Sequence, residues 1–557
     1  MGTYLEAERV AARMRKGRVG WCMVAIVSCF MVCSSAEAFK IDTGNDEVGL
    51  NWDNSIRYNL GYRVGKPDPN ALASPNNDDG DRNFNTGIIG NRLDLLSEID
   101  FSYQKKYGVR VSGAAWYDQA YHTHINNNSV STSNHIVNGQ QALGFNSYVD
   151  RYYAGPSGEL LDAFAFGKFD VGQIPVQVKV GRQTQYWGES LMLNAGLNGI
   201  AYAQSPLDIA KGYAVPNTTV KELFRPLNSV SVTVQPTSTL TIMGQYYLQW
   251  ESNRYPESGT YFGIYDFFLN SGQSIVTDPA TGGFLPRGRD IEPRQAKDWG
   301  IGMRWSPEWL DGTLGAFYRN FSDRFPQLHL DTDNGELRYV YPSGIDLYGV
   351  SLSKQLLGVS VGAEVSYRHN MPLQSQLVTV AQADLPKPGE TAGARGDTMH
   401  ALVNVLGIIN KTPLFDTAQY IAEANWGNWV RVTQGKEFFK GIDSYQFIDR
   451  ITKNYAALDL NFVPTWFQVM PGADLSMPLF YSRGLYGNSP TGITQKNAGS
   501  WSAGLSVDYL ARHKFDLLYV DYFGDYQIDP VAGLINNGDP ALLKDRGTLS
   551  LTYRYTF

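Results

Sequence analysis

The side chains best suited to chemistry cluster in one central stretch of the chain. Gly181-Arg182-Gln183 closes a segment of alternating residues, Trp187-Gly188-Glu189-Ser190 follows, and a long irregular stretch then runs to Pro226. Charged and amide groups beside a tryptophan can orient and select a polar solute by electrostatics and hydrogen bonding. The residues that we expect to do so are Arg182, Gln183, Trp187, Glu189, Asp208 and Lys211.

A nucleophilic motif is present without its structural context. Gly358-Val359-Ser360-Val361-Gly362 matches G-x-S-x-G, which forms a nucleophile elbow only between a strand and a helix. Here the serine lies within a strand-like stretch. The seven histidines offer a serine hydrolase little: His122, His124 and His135 fall in one loop and His513 in a turn. We therefore expect no enzyme activity and no cofactor, with an outer-membrane hydrolase as an alternative.

Two acidic segments resemble cation-binding loops. Asp331-Thr332-Asp333-Asn334-Gly335 places its glycine one position too early for an EF-hand, and Asn76-Asn77-Asp78-Asp79-Gly80-Asp81 is similarly acidic. Both are expected to be solvated loop tips rather than metal sites. Divalent ions at a lipopolysaccharide surface are the alternative for both.

In the segments that must position these residues, apolar and polar residues alternate with a period of two. In the last thirteen residues, Leu549 and Leu551 share a face with three aromatics, and Ser550 and Thr552 lie on the other face. Strict alternation of this kind places the two sets on opposite sides of a β-strand. A strand that ends the chain on an aromatic is typical of barrels recognised by the outer-membrane barrel-assembly machinery; the residues concerned are Tyr553, Tyr555 and Phe557.

The same alternation recurs along the chain, and the segments that show it are joined alternately by short turns and long loops. We count about eighteen strands and nine long loops, and an even number with this loop pattern is typical of a transmembrane barrel. Apolar runs of about 18 residues are absent, which excludes helical spans. Lipid offers backbone groups no hydrogen-bond partner, so only a closed sheet then remains. We predict an all-β, antiparallel up-and-down barrel over residues 39–557, with both chain ends in the periplasm; a large soluble β-protein is the alternative.

The polar faces of these strands predict a lumen of mixed charge. A barrel of about eighteen strands is wide enough for an aqueous channel. We expect residues 188–226 to fold into it as a constriction, with a bulge near Gly181 that turns Arg182 inward. The alternatives are an outward surface loop and ion pairs that only stiffen the wall. The candidate lumen residues are Arg57, Asp94, Glu98, Asp100, Arg110, Glu364 and Arg368.

The first 38 residues have the pattern of a secretory signal peptide. A basic region with Arg13 and Arg18 precedes an apolar run, and Ala36-Glu37-Ala38 supplies a cleavage site. Processing as a lipoprotein is the alternative. The only cysteines lie in this segment, at Cys22, Cys29 and Cys33, so the remainder has no disulfide and no cysteine metal site. The net charge of −7 argues against nucleic acid as a partner.

Four motifs together resemble a known family. Gly181-Arg182-Gln183, Trp187-Gly188-Glu189-Ser190, Pro206-Leu207-Asp208 and Lys221-Glu222 are similar to the signature of a proteobacterial outer-membrane family, domain of unknown function 1302 (DUF1302). The resemblance implies an outer-membrane barrel. It also implies an inner-membrane exporter of the resistance-nodulation-division type and a periplasmic lipid carrier as partners. We predict a porin-like channel for small or hydrophobic solutes, with a component of such a lipid-transport chain as the alternative.

Overall fold

The protein folds as one closed, antiparallel β-barrel whose ends are covered by long connections. The computed structural model describes residues 40–122, 126–192, 197–215, 220–267, 269–492, 494–529, 534–537 and 539–557. The predicted signal peptide therefore lies outside the described residues, as do His124 and the side chain of Lys221.

Eighteen strands form the wall. In chain order they are β1 (Val48–Arg63), β2 (Gly87–Tyr103), β3 (Tyr107–Asp118), β4 (Ser157–Val171), β5 (Ile174–Gln183), β6 (Leu227–Thr237), β7 (Leu240–Tyr247), β8 (Trp299–Trp305), β9 (Gly312–Phe321), β10 (Ile345–Leu356), β11 (Val359–Pro372), β12 (Arg395–Ile409), β13 (Thr417–Gln434), β14 (Asn454–Met470), β15 (Ala473–Ser476 continued by Leu479–Tyr486), β16 (Gly499–Tyr509), β17 (His513–Phe523) and β18 (Thr548–Thr556). The predicted strand number is confirmed.

Each strand pairs with its neighbour in the chain, and the last strand closes the ring. Strand β18 pairs with β17 on one side and with β1 on the other, where Tyr553 lies opposite Tyr58. The short segment Lys40–Ile41 adds to the edge of β1. Eight of the connections are turns of at most seven residues and the other nine are long. Closure leaves no unpaired sheet edge, which is the condition for a sheet to exist in hydrocarbon.

The two faces of the wall differ sharply in polarity. On β18, Leu549 and Leu551 are 39% and 50% exposed on the outer face, whereas Ser550 and Thr552 are each 1% exposed inside. Outward apolar and inward polar residues reverse the order of a soluble protein. The greasy outer face therefore requires a non-aqueous surrounding.

The long connections carry short elements of their own. Helical turns cover Pro69–Ala73, Asp79–Asn83, Gln119–Tyr121, Val130–Thr132, Ser147–Val149, Asp150–Ala154, Ile209–Ala214, Val220–Leu223, Gln382–Asp384, Lys436–Phe438 and Asp539–Leu542. Short strands cover Ile136–Val137, Gln140–Gln141, Ser274–Asp278, Gly283–Pro286, Gln327–Asp331, Glu336–Val340, Val378–Val380, Gln527–Asp529 and Leu534–Asn536. Among the residues that the structure describes, no helix is long and apolar enough to cross a membrane.

Candidate functional site

The connection between β5 and β6 runs through the inside of the barrel. We call residues 184–226 the crossing segment. Its residues Trp187, Ile200 and Tyr202 are at most 4% exposed and pack against inward-facing side chains of the wall, including Phe317 and Leu347. A surface loop would leave such side chains in water, so the packing places this part of the segment in the lumen.

Two wall carboxylates hold the backbone of the first half of the crossing segment. Glu364 on β11 accepts hydrogen bonds from the backbone N–H groups of Glu189, Ser190 (3.2 Å) and Ile200 (2.7 Å). Glu423 on β13 accepts from those of Leu191 and Met192, both at 2.8 Å. Backbone donors that point at an ionised acceptor form strong, directional bonds, so they fix the position of the segment.

Two buried arginines hold the carbonyl groups of the same stretch. Arg319 on β9 donates to the carbonyls of Ile200 (2.8 Å) and Tyr202 (2.7 Å). Arg368 on β11 donates to the carbonyl of Gly199 at 3.0 Å, and its guanidinium lies 4.2 Å from the ring centroid of Tyr202. Carboxylates for the amides and guanidinium groups for the carbonyls thus satisfy a buried, irregular backbone from both sides.

These contacts reach the far wall of the barrel. Asn198 donates from Nδ2 to Asn425 of β13 at 3.1 Å and accepts from the hydroxyl of Tyr455 on β14. Strand β14 lies nine places from β5 in a ring of eighteen, and it is therefore diametrically opposite. The first half of the crossing segment spans the lumen.

The second half of the crossing segment packs towards β1 and β2. Glu222 forms ion pairs with Arg57 of β1 (2.9 Å) and with Lys211 (3.2 Å), and Arg57 also lies 3.5 Å from Asp94 of β2. The side chain of Asp208 accepts from the backbone N–H of Lys211, and this bond caps the start of the helical turn Ile209–Ala214. The wall and the segment therefore share one buried network of alternating charge on this side.

Gly188 is a glycine because of its position against the wall. Its φ of +107° is a conformation that L side chains rarely adopt, and a Cβ atom there would collide with the carboxylate of Glu364. The Trp187-Gly188-Glu189 motif thus serves the approach of the backbone to Glu364. Glu189 itself accepts from the hydroxyl of Ser351 at 3.1 Å.

A polar vestibule lies beneath the crossing segment. A cavity of about 450 Å³ is lined by Glu189 and Leu191 above, by residues of the β8–β9 turn, and by the adjoining ends of β10 and β11, among them Lys354 and Ser360. The crossing segment is therefore the ceiling of a chamber at the short-turn end of the barrel.

Most predicted site residues meet in this region, and some do not. Trp187, Glu189, Asp208 and Lys211 belong to the crossing segment, Arg57, Glu364 and Arg368 contact it, and Asp94 pairs with Arg57. Glu98 and Asp100 instead pair with Arg110 in a separate network nearer the short-turn end. Gln183 is buried in the wall, where it donates to the carbonyl of Ser229 and accepts from Gln185 of the crossing segment at 2.9 Å. Tyr555 stacks between His513 and Phe557 at the edge of the barrel, with Tyr553 bonded to His513.

The expected bulge at Gly181 is wrong. Pairing of β5 with β4 and β6 continues without a register shift, so Arg182 keeps the outward parity of Val180, which is 48% exposed. Arg182 donates to the carbonyl of Leu160 and pairs at 3.4 Å with Glu251, which also pairs with Arg225 of the crossing segment. A partner beyond the strand end satisfies the charge, so no bulge is needed.

Sequence reasoning missed two residues that hold the crossing segment: Glu423 and Asn404. Asn404 on β12 donates to the carbonyl of Glu189 (2.6 Å) and to Glu423 (2.8 Å). Each lies on the inward parity of its strand, and a search for charged or amide residues at such positions would have found them. The residues that they bind lie far away in sequence, so no local sequence pattern reveals these contacts.

The nucleophilic motif forms part of the wall. Gly358 occupies the turn after β10, and Ser360 lies within β11 and not between a strand and a helix. The hydroxyl of Ser360 accepts from Gln355 Nε2 at 2.5 Å. An elbow that exposes a strained nucleophile is not formed here.

A family model described as "protein of unknown function (DUF1302)" matches residues 20–557. No curated protein matches. Among solved structures, Pseudomonas aeruginosa OpdK with vanillate is 10% identical with a TM-score of 0.39, over 91% of this chain and 98% of that one. The BenF-like porin of Pseudomonas fluorescens Pf-5 is 9% identical (TM-score 0.40, 91% and 98%), and Acinetobacter baumannii OccAB3 is 10% identical (0.41, 91% and 99%).

Proposed function

The chain belongs to the DUF1302 family, and from that premise we propose that it is a porin-like channel of the bacterial outer membrane. It passes small or hydrophobic solutes passively, and the crossing segment is its constriction. The protein carries out no chemical conversion. Selection depends on the width of the lumen beside the segment and on the charges that face it.

The observation that carries the proposal is the attachment of the crossing segment to opposite walls. Its backbone N–H groups donate hydrogen bonds to Glu364 and Glu423 on one side of the barrel. On the other side, the carboxylate of its residue Glu222 accepts from Arg57. A segment held at both sides narrows the lumen at a fixed depth. A fixed narrowing above a 450 Å³ vestibule is the arrangement of a selective pore.

The apolar outer face supports the membrane location. Val350 and Leu551 are 56% and 50% exposed on the outside of strands whose backbone groups are paired all round the ring. Only a closed sheet can satisfy its backbone in hydrocarbon, and bacterial outer membranes are where such barrels are found.

Charge in the lumen supports selection. The cations Arg57, Lys211 and Arg254 form ion pairs with the anions Glu222 and Asp208 of the second half of the crossing segment. Opposite charges around a narrow passage create a transverse field, which orients solutes that carry a dipole or both charges.

Conductance of the purified barrel in a planar lipid bilayer tests the proposal. We expect the full chain to conduct with a small unitary current, and a variant that lacks residues 192–215 to conduct with a larger one. The control removes residues 279–282, the tip of the outer hairpin formed by Ser274–Asp278 and Gly283–Pro286, and should conduct like the full chain. Absence of current from all three folded proteins would contradict the proposal.

A second candidate is a barrel component of a hydrophobic-compound transport chain, working with an inner-membrane exporter of the resistance-nodulation-division type and a periplasmic lipid carrier. The observation in its favour is an apolar cluster inside the lumen, where Trp187, Met243, Phe317 and Met371 are at most 8% exposed. Mass spectrometry of barrels extracted with their native lipid tests it, because this candidate requires a bound lipid that Trp187→Ala reduces.

A further inference from the structure

Three outer connections meet at a cluster of buried carboxylates away from the lumen site. Asp78 and Asp79 follow β1, and Asp266 follows β7. One oxygen from each of the three lies within 4.8 Å of the other two. Asn134, from the connection after β3, reaches the same place and donates its backbone N–H to Asp79 at 3.0 Å.

Several oxygens of this cluster have no hydrogen-bond partner. Asp78, Asp266 and Asn134 are each 0% exposed, and one side-chain oxygen of each, Oδ1, is unbonded among the described residues. A buried polar oxygen without a partner is costly, because it has lost its water and gained nothing in return. Three such oxygens in one cluster indicate a ligand that they share.

The charges of the cluster are not balanced. Arg82 pairs with Asp78. The nearby Arg546 is committed to Asp81 (2.9 Å) and Asp545 (3.4 Å). One guanidinium therefore faces three carboxylates.

We propose that Asp78, Asp79 and Asp266, with the amide oxygen of Asn134, bind a hard divalent cation of the calcium type. The donor set consists of oxygens alone, which is what Ca²⁺ prefers and what softer transition metals do not. A small cavity lined by Asp79, Asn83 and Asn127 borders the cluster and gives room for a further ligand.

The cation would hold the three outer connections together, because its ligands come from all three. Asn76 already joins them, because its side chain both donates to the carbonyl of Val276 (2.9 Å) and accepts from its N–H (2.8 Å). Asp79 donates its backbone N–H to Asp266 at 2.9 Å. A metal bridge at this crossing holds the cover of the barrel mouth in one arrangement, independently of whether the lumen conducts.

Calcium binding to the full chain tests the proposal directly. The barrel is refolded from urea into detergent free of lipopolysaccharide, so that lipid phosphates supply no competing site. Ca²⁺ is then titrated by isothermal calorimetry into chelator-treated protein. We expect one saturable Ca²⁺ per chain and at least tenfold weaker binding of Mg²⁺, which demands a regular octahedron.

Two variants and one matched control complete the test. Asp266→Asn and Asp78→Asn should each weaken Ca²⁺ binding at least tenfold. Asp331→Asn is the control, since Asp331 is an acid of another outer loop whose oxygens accept from Asn334; it should bind as the wild type does. The change of electrophoretic mobility on heating identifies the folded barrels. Absence of saturable binding to the folded wild type overturns the proposal, and so does undiminished binding in a folded Asp266→Asn barrel.

Discussion

Glu364→Gln should loosen the crossing segment without disturbing the wall. Oε1 of Glu364 accepts from the amides of Glu189 and Ser190, and Oε2 accepts from that of Ile200 at 2.7 Å. Glutamine retains one oxygen for the first two donors. Its –NH₂ group then faces the N–H of Ile200, so one bond is lost and the other two lose their charge.

The magnitude follows from these contacts. A hydrogen bond to a charged group contributes about 1.5–3 kcal/mol, and a neutral one about 1 kcal/mol. Loss of one charged bond and weakening of two others amounts to about 3 kcal/mol. Since 1.4 kcal/mol is a factor of ten, the balance between docked and undocked segment should move by about two orders of magnitude.

Single-channel recording measures this shift. We expect Glu364→Gln to spend far more time in a higher-conductance state than the wild type does. The matched control is Glu98→Gln, the same chemical change at a lumen residue that pairs with Arg110 instead of the segment. If both folded variants give wild-type traces, Glu364 does not hold a constriction, and the reasoning is refuted.

Three further predictions concern packing, pH and the outer face. Trp187→Ala should destabilise the folded barrel by about 3–5 kcal/mol in urea unfolding, because the side chain is buried (4% exposed) and its removal leaves a cavity. An unchanged urea midpoint would contradict the packing role of Trp187. Burial lowers the pKa of His329, in the outer strand Gln327–Asp331, to about 4. The unfolded chain, with an ordinary histidine pKa near 6.5, therefore binds more protons between these values, and stability falls as pH drops from about 6.5 to 4. Between pH 7 and pH 4, the free energy of unfolding in urea should fall by an amount on the order of 3 kcal/mol more in the wild type than in His329→Gln. Equal losses in the two proteins would show that His329 is not the cause. Val350→Arg on the outer face should cost about 2–4 kcal/mol in refolding into lipid vesicles, and Leu357→Arg, 98% exposed in a turn, almost nothing; equal costs would argue against hydrocarbon around the wall.

The barrel could be predicted because its signal is local. A strand with one face in lipid and one in the lumen must alternate, so Leu549 and Ser550 alone already indicate opposite faces. Turn and loop lengths then yield the number of strands and their neighbours. This is why eighteen strands, and the inward position of Glu364 and Arg368, could be predicted without coordinates.

The candidate site could be predicted only in part, because hydrogen-bond partners can be distant in sequence. The Trp187-Gly188-Glu189 motif marks the segment, yet its partners Glu364 and Glu423 lie 175 and 232 residues away from the amides they bind. The error at Arg182 has the same origin. An outward arginine looked unpaired along the strand, whereas Glu251 reaches it from another connection.

The alternation of apolar and polar residues is a property of neighbouring residues, and it specifies a closed wall that is apolar outside and polar inside. What fills that wall depends on contacts between distant parts of the chain. The docking of the crossing segment on Glu364 and Glu423, and the meeting of Asp78 with Asp266, depend on ring closure. Closure brings together side chains that are hundreds of residues apart, and the free energy of those contacts is not written into any local pattern.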